Sequence, residues 1–151
     1  MTERTIVVGV DGSENSKNAL RWAVSFADVL GAAVDAVLVW ELPAETGWNS
    51  GWSYAGEEFD PGILAEKTLT LAVDQVYGAE RPAGLHLVVE EGDPATVLIE
   101  RSKTAYLLVV GSRGRGGFTT LLLGSVSAKC VEHAGCPVLV INGDTALPEG
   151  E

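Results

Sequence analysis

A chain of 151 residues and 15.8 kDa has room for one hydrophobic core and not two, and 46% hydrophobic against 21% charged residues separates it from disordered chains. Ten Lys and Arg against 21 Asp and Glu leave a net charge of −11 and a pI near 4.5, which speaks against a nucleic-acid surface working by counterion release and equally against an anionic membrane. No apolar run reaches the roughly 18 residues of a spanning helix, Met1-Thr2-Glu3-Arg4 lacks a signal-peptide layout, and two cysteines are too few for a disulfide framework, so the expected compartment is the cytoplasm.

The first element is a strand, Thr5-Ile6-Val7-Val8-Gly9-Val10, β-branched and apolar until the turn cluster Asp11-Gly12-Ser13. A helix follows from Ser16 to Leu30, because Ala19, Leu20, Ala23, Val24, Ala27 and Leu30 recur at spacings of three and four before Gly31. Val34 to Trp40 reads as the second strand. Residues Glu41 to Asp60 make a long connection carrying Trp48, Trp52, Tyr54 and Phe59; it reads as a lid or contact surface, or alternatively as a loop whose aromatics pack on the body. Pro61 opens and Gly78 closes a helix ending at Tyr77. Leu85 to Val89 is the third strand. Asp93-Pro94 reads as an N-cap with proline at N1, starting a helix to about Lys103. Tyr106 to Val110 is the fourth strand, ending at Gly111. After a glycine-rich loop come a helix from about Ser125 to Ala134 and a fifth strand, Val138 to Ile141. Residues 1–142 are thus expected as a single domain and 143–151 as a flexible acidic tail.

Alternating strands and helices, with strands that are uninterrupted apolar runs, predict an α/β three-layer sandwich around a parallel sheet. Ligands of such sheets bind beyond the carboxyl ends of the strands, where strand order reverses. The loops after strands one and four are therefore the first places to search.

From Ser102 to Val131 there is no acidic residue, whereas Lys103, Arg113, Arg115 and Lys129 fall there. Inside that stretch lies Gly111-Ser112-Arg113-Gly114-Arg115-Gly116-Gly117. Glycines let backbone N–H groups curl around an anion. Gly124-Ser125 then opens a helix whose free N–H groups and dipole favour negative charge, with the Ser125 hydroxyl as a further donor. The combination predicts a phosphate cradle with two walls; an ordinary loop before a capped helix is the alternative. A P-loop is excluded because G-x-x-x-x-G-K-[ST] is absent, and Gly9-Val10-Asp11-Gly12 lacks the third glycine of a dinucleotide fingerprint.

Gly111-x-x-Gly114, nine residues, then Gly124-Ser125 resembles the G-2x-G-9x-G-[ST] signature of the ATP-binding universal stress proteins. The likeness extends from about Arg4 to Ile141 and takes in Val7-Val8-Gly9-Val10-Asp11-Gly12-Ser13, Val39-Trp40, Gly92-Asp93-Pro94 and Cys136-Pro137-Val138. Tyr106 departs from it, standing where the family commonly has an acidic residue. The resemblance implies a five-stranded parallel sheet in the order 3-2-1-4-5, of the adenine nucleotide alpha hydrolase-like kind. It further implies that Asp11 faces the adenosine end and that the backbone of Val39 contacts adenine. Val110, Gly111, Arg113 and Gly114 would line the ribose and phosphates, and Gly124, Ser125 and Val126 would close around the phosphate chain. A turn residue bonding its own backbone is the other reading of Asp11.

Three further groups carry weaker signals. Cys130, His133 and Cys136 lack a fourth ligand and a C-x-x-C, so structural thiols are the better reading and no metal site is expected. His86, alternating with Leu85 and Leu87, reads as structural, and Leu121-Leu122-Leu123 as packing beneath the cradle. The leading functional expectation is an ATP-binding regulator or sensor of the stress response, with ATP as ligand, with or without Mg²⁺. Its alternatives are a slow Mg²⁺-dependent ATPase or phosphotransferase, and a scaffold that holds AMP, another nucleotide or none. No catalytic residue is expected, because the acid-free stretch offers no base at the phosphate end. A regulatory protein partner is expected without the sequence naming one. A homodimer through strand five is expected as well: strand three ends in Glu90-Glu91, whereas Val138-Leu139-Val140-Ile141 carries no charge.

Overall fold

The computed structural model describes residues 4–41, 60–113, 123–143 and 145–147. Five apolar runs form one parallel sheet: β1 (Thr5–Gly9), β2 (Ala33–Trp40), β3 (Leu85–Glu91), β4 (Leu107–Gly111) and β5 (Val138–Ile141). Their order is β3-β2-β1-β4-β5, as the family resemblance implied. Strand order reverses at β1, between β2 and β4, so the carboxyl ends of these parallel strands β1 and β4 lie side by side with Val8 opposite Val109.

Helices α1 (Glu14–Leu30), α2 (Pro61–Tyr77), α3 (Pro94–Ser102) and α4 (Ser125–His133) complete the described elements. α1 begins two residues before the expected Ser16 because Ser13 is its cap, the Ser13 hydroxyl oxygen accepting from the Ser16 amide at 3.2 Å. It ends at Gly31, whose φ of 67° suits a glycine. Asp60 caps α2, with Pro61 in the first turn.

The pleat sends alternate residues to opposite faces, and two buried clusters result. Ile6, Val8, Ala36, Leu38 and Val109 pack under α1 and α2 against Ala19, Leu20, Ala23, Leu69 and Val73. The alanines bring α1 close to the sheet. On the other face Val7, Val37, Leu108 and Val110 meet Leu98 of α3 and Cys130 of α4. Gly9 permits that second packing: a Cβ there would stand 3.0 Å from Leu98 Cδ1.

Three details adjust the expectations. Tyr106, the departure from the family pattern, lies under the Arg4 guanidinium, 5.0 Å from ring centroid to Cζ, a cation–π contact at the amino-terminal end of the sheet. Glu90, expected as a repelling charge on the β3 edge, is ion-paired with Arg101 of α3. The tail does not leave the body directly after β5: Asn18 Nδ2 donates to the Thr145 carbonyl at 2.6 Å and Trp22 Nε1 to the same oxygen at 2.9 Å. Residues 148–151 and the aromatic connection at 42–59 lie outside the described residues.

Candidate functional site

The β1 carboxyl end is fixed by a set of short-range bonds. The Asp11 amide donates to Ser16 Oγ at 3.1 Å, and the Ser16 hydroxyl donates to the Ser13 carbonyl at 3.0 Å. Gly12 takes a φ of 90° between them, a conformation that disfavours any side chain. Asp11 Oδ1 accepts from the Ser13 amide at 2.9 Å, which is the turn role that the sequence left open.

The second wall is built from β4 and α4. Ser112 is buried and its backbone is used on both sides: its N–H donates to the Ile141 carbonyl at 2.9 Å, and its carbonyl accepts from the Gly124 amide at 2.7 Å. This second bond sets the start of α4 against the end of β4. The Ser127 hydroxyl, on the inward side of the first turn of α4, donates to the Gly111 carbonyl. Gly124 is the N-cap of α4, in extended conformation, with no side-chain bond to the cap. The early amides of α4 thus begin at the sheet edge with no side-chain oxygen in the capping place.

Asp11, Val110, Gly111, Arg113, Gly124, Ser125 and Val126 are brought to this edge by β1, β4 and α4. Val39 comes from β2 and joins Val110 and Val126 in one apolar cluster, under α3 and α4. Arg113 and Ser125 are exposed. Gly114, together with Arg115, Gly116 and Gly117, lies outside the described residues, and so do Leu121 and Leu122. The cationic stretch read from the sequence divides in space. Lys103 precedes β4, at the opposite end of that strand from the cradle, and pairs with Glu100 at 3.1 Å.

The stretch lacks acids in sequence, yet one is supplied from elsewhere. Asp93 caps α3, and its carboxyl lies below the usual carboxylate range because the Thr96 amide and hydroxyl both donate to it, with the Lys129 charge on α4 adding to the effect. Cys130, expected as a structural thiol, is fully buried, and burial pushes its pKa up to about 11. Cys136 is half-buried and raised in the same direction. Among the described residues no cluster of His, Cys, Asp and Glu is arranged to hold a metal ion, and no helix is long and apolar enough to cross a membrane.

Two residues escaped the sequence reading. Ser127 passed as one more small residue beside the more conspicuous Gly124-Ser125. Asn15 sits in the first turn of α1 and reaches across to β4 and β5, accepting from the Arg113 amide at 2.8 Å and donating to the Ile141 carbonyl at 3.1 Å. Only the spacing of Asn15 and Asn18 on one helix face signalled a polar seam there.

The donor set fits a phosphate group: an uncapped helix start with glycine at its N-cap and an exposed arginine just past the neighbouring strand. A doubly wound α/β protein with its open edge at the switch point is the class this defines. The chain belongs to the Universal stress protein family, whose family model matches residues 3–142.

A universal stress protein of Mycobacterium tuberculosis is 34% identical over 146 residues, covering 94% of this chain and 49% of that protein. One of Methanocaldococcus jannaschii is 32% identical over 146 residues, covering 91% of this chain and 81% of its own length. The chain spans about half the length of the mycobacterial relatives it matches. Among solved structures, UspA from Lactobacillus plantarum superposes with a TM-score of 0.73 at 23% identity, covering 93% of this chain and 99% of that one, a likeness of fold. A universal stress protein in complex with cAMP gives 0.64 at 25% identity, over 93% and 98% of the two chains. One from Archaeoglobus fulgidus in complex with dAMP gives 0.61 at 26%, over 93% and 99%.

Proposed function

We propose that this protein binds an adenine nucleotide at the carboxyl edge of β1 and β4, with ATP as the ligand, and that the bound state regulates a partner protein or the protein's own assembly in the cytoplasm. The observation that carries the reading is the start of α4: a glycine N-cap with no side-chain bond to the cap, fastened by the Gly124 amide to the end of β4 at 2.7 Å. Helix amides and dipole at such a place favour a phosphate. In this reading Gly124, Ser125 and Val126 hold the phosphate chain with Arg113 and Gly114, Asp11 takes the ribose or base, and Val39 and Val110 meet the adenosine. Mg²⁺, where present, would accompany the phosphates and offset their charge.

Affinity in the micromolar to submillimolar range is expected, about −5 to −8 kcal/mol, since one cradle in an acidic protein is a modest electrostatic site. Calorimetric titration with MgATP tests it. Absence of heat and of thermal shift at millimolar nucleotide overturns it.

A second reading is favoured by the cAMP and dAMP complexes of related proteins: a scaffold for a nucleoside monophosphate. Parallel titrations with AMP and cAMP, together with mass analysis of nucleotide released from purified protein, decide between them. The enzyme reading gains first place only if hydrolysis approaches one turnover per second, on the order of a slow enzyme, and is lost on mutation of the cradle.

A further inference from the structure

Asn15 carries every hydrogen bond that an amide side chain has to offer. Nδ2 donates to the carbonyls of Ile141 at 3.1 Å and Gly143 at 3.2 Å, and Oδ1 accepts from the Arg113 amide at 2.8 Å and the Ser112 hydroxyl at 3.4 Å. Donors face carbonyls and the acceptor faces N–H and O–H groups, so the orientation of the amide follows from its partners. The same side chain fills the space beside Gly111, where a Cβ would stand 2.8 Å from Asn15 Cγ and Oδ1. One residue near the start of α1 thereby joins the end of β4, where the candidate cradle begins, to the end of β5 and the segment that follows it.

The segment after β5 has further attachments to the same helix. Asn18 Nδ2 and Trp22 Nε1 both bond the Thr145 carbonyl, and the Thr145 hydroxyl donates to the Asn142 carbonyl at 2.6 Å. Residues 142, 143 and 145 are thus tied along α1 as a strap, and Asn15 is the point at which strap and cradle meet.

We infer that Asn15 is a positioning residue: it holds the Arg113 amide and the end of β4 at Gly111 in place for an anionic ligand, and it couples that ligand to the strap through Ile141 and Gly143. Nothing in the coupling needs a large displacement. Ordering of Arg113 by a ligand strengthens the bond to Oδ1, which fixes the amide whose other end holds Ile141 and Gly143. By linkage, loosening the strap must weaken the ligand in equal measure. The strap adjoins β5, so occupancy is passed to an edge strand of the sheet.

The coupling to ligand rests on the nucleotide reading, whereas the latch itself does not, and the experiment separates the two. Amide hydrogen exchange of the full chain, without nucleotide, is compared for wild type, Asn15→Ala and Asn15→Asp. Asn15→Ala should speed exchange of the Arg113 amide and of residues 142–145 by about tenfold or more. Asn15→Asp keeps the acceptor and loses both donors, so it should free 142–145 while Arg113 stays protected. Unchanged exchange at both places in Asn15→Ala overturns the latch whatever the ligand is. With MgATP added, wild type should show slower exchange at 142–145 and Asn15→Ala should show none of that slowing, with ATP bound about tenfold more weakly. If wild type binds ATP and Asn15→Ala binds it equally well with the same slowing, the positioning role is refuted. If wild type binds no ATP, the nucleotide reading and the coupling fall together, and the nucleotide-free exchange still judges the latch.

Discussion

The Ser127 hydroxyl donates to the carbonyl of Gly111, joining the first turn of α4 to the last residue of β4 inside the protein. Both residues are buried. Removing the hydroxyl leaves that carbonyl without its donor in a region closed to water, where an unmet backbone acceptor costs about 1 to 3 kcal/mol. Ser127→Ala should lose stability in that range in urea titration with an unchanged m-value. It should also weaken ATP, because the helix start then loses its fixed place. A variant as stable as wild type would show that the bond contributes nothing net.

Gly124→Asp separates folding from binding. Gly124 has a φ of −70° and a ψ of 170°, open to any residue, and aspartate is a better N-cap than glycine by a few tenths of a kcal/mol. The variant should melt at the wild-type temperature or slightly above it. It should nevertheless fail to bind ATP, since its carboxylate would occupy the α4 amides proposed to take the phosphate. Normal titration by MgATP would move the site elsewhere.

Much of this was legible because local chemistry marks the ends of elements. Pro61 and Gly78 bound α2, and Asp93-Pro94 opens α3, as caps dictate from sequence alone. The order of strands was not legible from periodicity and came with the family resemblance. Asn15 was illegible for another reason: its partners Ile141 and Arg113 stand 126 and 98 residues away, and no local pattern encodes a bond of that separation. Lys103 misled because sequence proximity to the glycine loop is not spatial proximity when a whole strand lies between. Asp93 was legible as a cap but not as a neighbour of Lys129, because the two charges come from different helices, α3 and α4.

The Asp93 carboxyl has a folded-state pKa below its ordinary value, through the Thr96 bonds first and Lys129 last among the lowering causes. A depressed carboxyl contributes stability above its unfolded pKa of about 3.9 and loses it as pH falls through the folded value. The group is exposed, so screening keeps the effect small. Asp93→Ala should cost about 0.5 to 1 kcal/mol at pH 7, from the lost cap. The gap between variant and wild type should shrink as denaturation is repeated below pH 4. A gap constant down to pH 2 would assign the loss to packing.

Cys130 is buried beneath α4 with its thiol pushed up to about 11, and Cys136 is half-buried and raised in the same direction. The thiolate is the reactive form, and burial denies both charge and access. At pH 8 a thiol reagent should label Cys136 slowly and leave Cys130 intact until denaturant is added, as mass spectrometry of peptides would record. Equal rates at the two positions in native protein would mean that the face beneath α4 opens readily.

The proposed dimer turns on which backbone groups β5 leaves at its outer edge. The Pro137 carbonyl accepts from Leu108 and the Ile141 carbonyl from Ser112, both facing β4. Alternation along the strand then turns the backbone groups of Val138 and Val140 away from β4, toward the edge. Among the described residues β5 pairs with β4 alone, and its sequence has no charge to deter a partner. A two-fold axis would let the same edge pair with its own copy and leave nothing to propagate. At the opposite edge Glu90 is neutralised by Arg101, which leaves Glu91 as the exposed charge there. A lysine at position 140 would be a poor test, because Val140 packs into the cluster under α4 and a charge there would damage the core. Val140→Pro is the cleaner change: it removes an outward N–H and spares the bonds to β4. Wild type should sediment as a dimer at tens of micromolar, on the order expected for a micromolar association, and Val140→Pro as a monomer with a native circular dichroism spectrum. A wild-type chain that sediments as a monomer at that concentration refutes the dimer, and a dimeric Val140→Pro moves it to another surface.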